Sequence, residues 1–156
     1  MNNPIYLLAN KLIDAQYKLA TAESCTGGGI AQALTDVSGS SQWFDSGLVT
    51  YSNEAKQRLL GVPSELIAQW GAVSEPVAKS MAEGAAGQQG VDVAVSVTGI
   101  AGPTGGTKDK PVGTVWIAWK LPNNRVEARC FQFDGDRSAV REATINAAIT
   151  GLIERL

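Results

Sequence analysis

Apolar positions along the chain switch between a helical period and short continuous runs. Ile5, Leu8, Ala9 and Leu12 recur three and four residues apart behind Asn3-Pro4, which predicts a helix capped by Asn3 that ends near Gln16. Lys18–Ala22 reads as a short strand, and Ile30, Ala31, Ala33 and Leu34 as a helix running to about Asp36. After the polar turn Ser38–Ser41 come Trp43-Phe44 and Asp45-Ser46-Gly47, then a strand through Leu48, Val49 and Tyr51. Ser52 or Asn53 caps a helix over Glu54–Leu60, which Gly61-Val62-Pro63 breaks. A short helix follows from Ser64 to Trp70, and another starts at Ser74-Glu75-Pro76 and runs to about Gly87. Val91–Val97, with five apolar residues of which four are Val, is the pattern of a buried strand. Thr114–Lys120 and Val126–Phe133 form a hairpin across Pro122-Asn123-Asn124. From Ser138 a terminal helix presents Ile145, Ala148, Ile149 and Leu152 on one face. Strands alternating with helices predict an α/β fold: a three-layer α/β/α sandwich with a mixed, mostly parallel sheet.

The totals narrow this picture. At 156 residues the chain is read as one domain, 1–156, with a substantial core. It is 44% hydrophobic with a formal charge of −2 and no cluster of Lys or Arg, so no nucleic-acid partner is expected. No apolar run reaches the length of a membrane span, and the N-terminus lacks the pattern of a secretory signal. Cys25 and Cys130 are expected to be free thiols of a cytoplasmic protein, Cys130 in the core. The count that changes most is zero: there is no histidine. That removes Ser-His-Asp and Cys-His catalysis and histidine-ligated metals. If the chain is an enzyme, its base must be Lys, Tyr, Asp or Glu, or a cofactor must supply the chemistry.

Candidate chemistry gathers in loops. Thr98–Gly106 carries four glycines in the eight residues from Gly99, at the end of the strongest strand pattern. Glycine lets a ligand approach the backbone, and open α/β sheets bind ligands at the carboxyl ends of their strands. Ser24–Gly29 lies where a strand hands over to a helix N-terminus, suited either to an anion or to a plain cap. Ser38–Ser41 and Asp134–Arg137 are further polar turns. Lys56 is either a base activated by desolvation or a solvated helix residue, and Tyr51 either its relay or core with a wet hydroxyl. Cys25 at a helix N-terminus lacks the histidine that usually activates a thiol, which leaves packing as its reading, with a cysteine hydrolase as the rival. Asp134 and Asp136 beside Arg137 suit a local ion pair or cap better than a metal, Trp116 and Trp119 suit packing, and no carboxylate pair fits a glycosidase.

Several stretches together carry a resemblance: TAESCTGG at Thr21–Gly28, SGLVTYSNEAK at Ser46–Lys56, GAVSEPVA at Gly71–Ala78, SVTGIAGPTGG at Ser96–Gly106 and KPVGTVW at Lys110–Trp116. In this order they resemble the CinA C-terminal domain family, over nearly the whole chain. The resemblance implies a nicotinamide-nucleotide amidase that hydrolyses nicotinamide mononucleotide to nicotinate mononucleotide and ammonia, without metal or other cofactor, as a cytoplasmic homo-oligomer. It implies a serine–lysine pair with Lys56 as base and Tyr51 as its neighbour. Ser41 is the favoured nucleophile, and Ser24 stands beside it. Thr98, Gly99, Gly102, Arg137, Thr26 and Gly27 are the implied substrate-binding residues. The alternative is a non-catalytic phospho-ligand-binding or regulatory module of the same competence-damage family.

Overall fold

The computed structural model describes residues 3–156. Its elements are helix α1 (Pro4–Ala15), strand β1 (Leu19–Glu23), α2 (Gly29–Thr35), a 3-10 turn (Ser40–Gln42), β2 (Phe44–Val49), α3 (Asn53–Leu60), α4 (Ser64–Trp70), α5 (Glu75–Ala86), β3 (Val93–Gly99), β4 (Thr114–Lys120), β5 (Val126–Gln132) and α6 (Arg137–Arg155). Short polar side chains start three of the helices by accepting orphan amides of the first turn: Asn3 from Ile5 N, Ser52 from Ala55 N and Asp136 from Ala139 N.

The sheet runs β2-β1-β3-β4-β5. β1 pairs in parallel with both neighbours, Thr21 lying opposite Gly47 on one side and Val95 on the other. β4 runs against β3 and β5, so it alone is reversed and the other four strands point the same way. Side chains alternate across the sheet. Leu19, Val93, Val95 and Val97 join Leu8, Leu12, Ile30, Leu34 and Leu152 in the larger core, under α1, α2 and α6. Ala20, Ala22 and Ala94 face Leu60, Val77, Met81 and Ala85 of α3 and α5. Each large aliphatic side chain taken fully from water contributes about 1.5–3 kcal/mol. The sandwich has helices on both faces, as the sequence predicts.

Contact size sets some positions. A Cβ on Gly151 would sit 2.1 Å from the Trp119 ring, so α6 lies on that indole with no room for a methyl group. The ring nitrogen donates to Ala148 O at 3.1 Å, and the Arg155 guanidinium stacks 3.8 Å from the ring centroid.

Three expectations are corrected. β2 starts at Phe44 and stops at Val49, leaving Tyr51 outside it. As an edge strand it exposes Asp45, Gly47 and Val49 on alternate positions, so residues that break a buried strand are tolerated there. β3 reaches on to Thr98 and Gly99. Cys130 is exposed on the edge strand β5 instead of being buried in the core. Among the described residues, no helix is long and apolar enough to cross a membrane.

Candidate active site

The carboxyl ends of β1 and β3 and the segment after β2 meet around one cavity of about 340 Å³. That size lies at the low end for small-molecule sites. Ser24 is the first residue past β1, and its amide continues the ladder by donating to Val97 O at 3.1 Å. Its side chain is buried at the cavity wall. Lys56 lies in the first turn of α3, a helix whose Glu54, Gln57 and Arg58 face water, yet Lys56 itself is 1% exposed. Its Nζ donates to Thr50 O at 2.9 Å, to Tyr51 O at 3.5 Å and to Ser24 Oγ at 3.2 Å. No salt bridge among the described residues includes it. Burial without a counter-ion pulls its pKa below the ordinary lysine value.

The glycine-rich loop forms the opposite wall. Thr98 is buried and donates its hydroxyl to Ala72 O at 2.9 Å, which leaves the oxygen free to accept. Gly102, at φ 85°, turns the loop where a Cβ would meet Val112 at 2.5 Å. Its carbonyl accepts from Arg137 Nη1 at 2.8 Å, while Nη2 donates to the Tyr51 hydroxyl at 2.9 Å. One turn along α6, Arg141 donates to Thr26 O at 3.0 Å. Among the described residues, neither arginine has a carboxylate within ion-pair distance, and no carboxylate lines the cavity. The cavity is thus bordered by Arg137, with Arg141 one turn further along α6, and the partners of both are neutral.

The sequence-predicted residues separate into two groups. Ser24, Tyr51, Lys56, Thr98, Gly99, Gly102 and Arg137 come together at the cavity. Ser41 does not: it is exposed in the 3-10 turn before β2, and its carbonyl accepts from Lys18. Lys56 follows the other end of β2, so strand rise alone sets the two apart by roughly 15–20 Å. The serine brought to Lys56 is Ser24. Thr26 and Gly27 are not among the cavity walls; the Thr26 hydroxyl is turned to Glu23. The Cys25 thiol lines the cavity, but its pKa is pushed up to about 11, first by burial and then by the nearby Glu23, so it keeps its proton. Asp136 caps α6, the simpler of its two readings.

Two residues went unremarked in the sequence. Arg141 follows Arg137 by four positions on α6, a spacing that places both on one face. Glu23, the last residue of β1, is 0% exposed and accepts from the Thr26 hydroxyl, Ile30 N at 2.8 Å and Ala31 N at 3.0 Å. The N-terminus of α2, expected to suit either an anion or a plain cap, is thus occupied by the chain's own carboxyl group.

The family model of the CinA C-terminal domain matches residues 4–156. A protein of Pseudomonas putida named nicotinamide-nucleotide amidohydrolase PncC is 52% identical over 158 residues, 97% of either chain. A CinA-like protein of Akkermansia muciniphila is 50% identical over 143 residues, 92% of this chain but 34% of that longer one. A crystal structure of a competence-damaged protein (CinA) superfamily protein from Escherichia coli superposes with a TM-score of 0.94 at 36% identity, covering 99% of this chain and 89% of that one.

Proposed function

The chain belongs to the CinA C-terminal domain family, and we propose that within it the protein is a nicotinamide-nucleotide amidohydrolase working through Ser24 and Lys56. It hydrolyses nicotinamide mononucleotide to nicotinate mononucleotide and ammonia, a step of pyridine-nucleotide salvage. The observation that carries the mechanism is the contact of the buried Lys56 Nζ with Ser24 Oγ at 3.2 Å, in a cavity without a carboxylate.

A lysine disfavoured as a cation can hold the neutral amine at working pH and accept a proton. Lys56 takes the Ser24 hydroxyl proton as Oγ attacks the carboxamide carbon. The oxyanion that forms needs donors aimed at it before the reaction starts. The Cys25 amide adjoins the serine at the cavity wall, and among the described residues no backbone carbonyl accepts from it, which supports it in that role. Lys56 returns the proton to the departing nitrogen, and ammonia leaves. Water, deprotonated by the same amine, then cleaves the acyl ester and frees Ser24. Arg137 can exchange its neutral acceptors for the 5′-phosphate, a stronger partner for a guanidinium. We further place the protein in the cytoplasm as a homo-oligomer, in keeping with its two unpaired cysteines and its substrate class.

The test is ammonia release from nicotinamide mononucleotide by purified protein, with and without EDTA, beside Ser24→Ala. Release that survives EDTA and falls by at least about a hundredfold in Ser24→Ala is expected. No release from folded wild-type protein would return the chain to the non-catalytic binding reading. Full activity in Ser24→Ala would remove Ser24 as the nucleophile.

A further inference from the structure

We propose that Glu23 is a positioning residue of the amidase reaction, holding the Ser24 turn against Lys56 without touching the substrate. The inference rests on the reading of Ser24 and Lys56 as nucleophile and base.

Glu23 is fully buried, and no cation lies within ion-pair distance of it among the described residues. A buried carboxyl group is costly unless donors surround it. Here the donors are the Thr26 hydroxyl and the Ile30 amide on one oxygen and the Ala31 amide on the other. A plain helix start would use a side chain at the N-cap, but the N-cap of α2 is Gly28, which has none and sits at φ 99°. Glu23 therefore caps α2 from five residues upstream and spans the turn that contains Ser24.

The same residue is fastened on its other side. Its carbonyl accepts from Thr50 N at 2.8 Å, and the carbonyl of Thr50 is the shortest-range acceptor of Lys56 Nζ. One residue is thus joined by the chain to the serine, by its backbone to the lysine's anchor and by its side chain to α2. Gly27 and Gly28, both at positive φ, contribute no stiffness of their own. The placement of Ser24 Oγ relative to Lys56 Nζ depends on the Glu23 side chain. A reacting group misplaced by about 1 Å costs on the order of a hundredfold in rate.

The decisive variant is Glu23→Gln, which keeps the shape but sets an NH2 group against donors. Expected are a kcat for nicotinamide mononucleotide lower by about a hundredfold and a KM within about twofold, since no cavity wall has changed. A purely structural role would lower thermal stability without this split. Thr26→Val removes one of the three donors and is expected to lower kcat several-fold, which keeps the question open to test if Glu23→Gln does not fold. Covalent labelling of Ser24 by a fluorophosphonate, followed by mass spectrometry, reads serine placement independently of the substrate. In that probe reaction an Oγ–P bond forms and fluoride leaves. Slower labelling of the folded variants supports the role even if wild-type protein releases no ammonia, in which case only the substrate reading fails. Equal labelling rates in wild type and both variants, or wild-type protein that is not labelled at Ser24, would overturn it.

Discussion

Two lysines flank β2, and their backbone bonds are nearly the same. Before the strand, Lys18 Nζ donates to Gln42 O at 2.8 Å and to Ser41 O at 3.5 Å. After it, Lys56 Nζ donates to Thr50 O at 2.9 Å and to Tyr51 O at 3.5 Å. Lysine tied to carbonyls is therefore not what marks the site. At the amino end of the parallel strands the lysine is half-buried, its own amide is held by Asp92, and the nearby Ser41 contributes a carbonyl. At the carboxyl end the lysine is sealed from water and meets a serine hydroxyl. Burial and that third contact are what set Lys56 apart from a common anchoring pattern, and they support the proposed role as base.

The widest separation of the two ends is expected in activity. Lys56→Met should lower kcat/KM for nicotinamide mononucleotide by about 10²–10⁴-fold, the range for loss of a general base, whereas Lys18→Met should stay within about twofold. Equal losses would break the comparison. A smaller effect is expected in stability against pH. Because the folded pKa of Lys56 lies below the unfolded one, the unfolded chain binds more protons between the two values, and stability rises with pH across that window. The slope for one proton is at most about 1.4 kcal/mol per pH unit. Denaturant titrations should show Lys56→Met most favoured relative to wild type at low pH, the difference shrinking as pH climbs towards the ordinary lysine range. Cys25, pushed up to about 11, contributes the opposite slope in alkali, and because the Lys56 charge lowers it, Lys56→Met changes that slope too, so the two proteins are compared below the range where thiols titrate. The smallest effect is that of Lys18→Met on stability, about 0.5 kcal/mol as for other surface changes, read as a slight shift in denaturant midpoint.

Much of this arrangement is legible in the residues. Caps at Asn3 and Ser52, the breaker at Gly61-Val62-Pro63 and the Val-rich run of β3 act locally, so pattern alone places those elements. β2 resisted because the exposed side of an edge strand accepts Asp and Gly, which leaves no apolar period to read. The glycine loop and Lys56 could be singled out by type, yet pairing Lys56 with Ser24 required knowing that β1 and β2 lie side by side and parallel. Ser41 is closer in sequence to Lys56, but six residues of extended strand carry the chain from one end of the sheet to the other. Glu23 carries no local pattern that marks it; only the return of α2 over it supplies its donors.

The cations at the cavity have a consequence for encounter as well as for chemistry. The whole chain carries a formal charge of −2, yet among the described residues Arg137 and Arg141 stand at one end of the sheet with no carboxylate in ion-pair distance. Their guanidinium charges set up a local positive field at that end. A phosphate-bearing ligand is drawn in along that field from beyond contact range, and dissolved ions weaken the pull over a distance of about 8 Å at physiological strength. On the proposed mechanism, salt concentration therefore acts on how often substrate arrives and leaves the bond-breaking step at Ser24 and Lys56 largely alone.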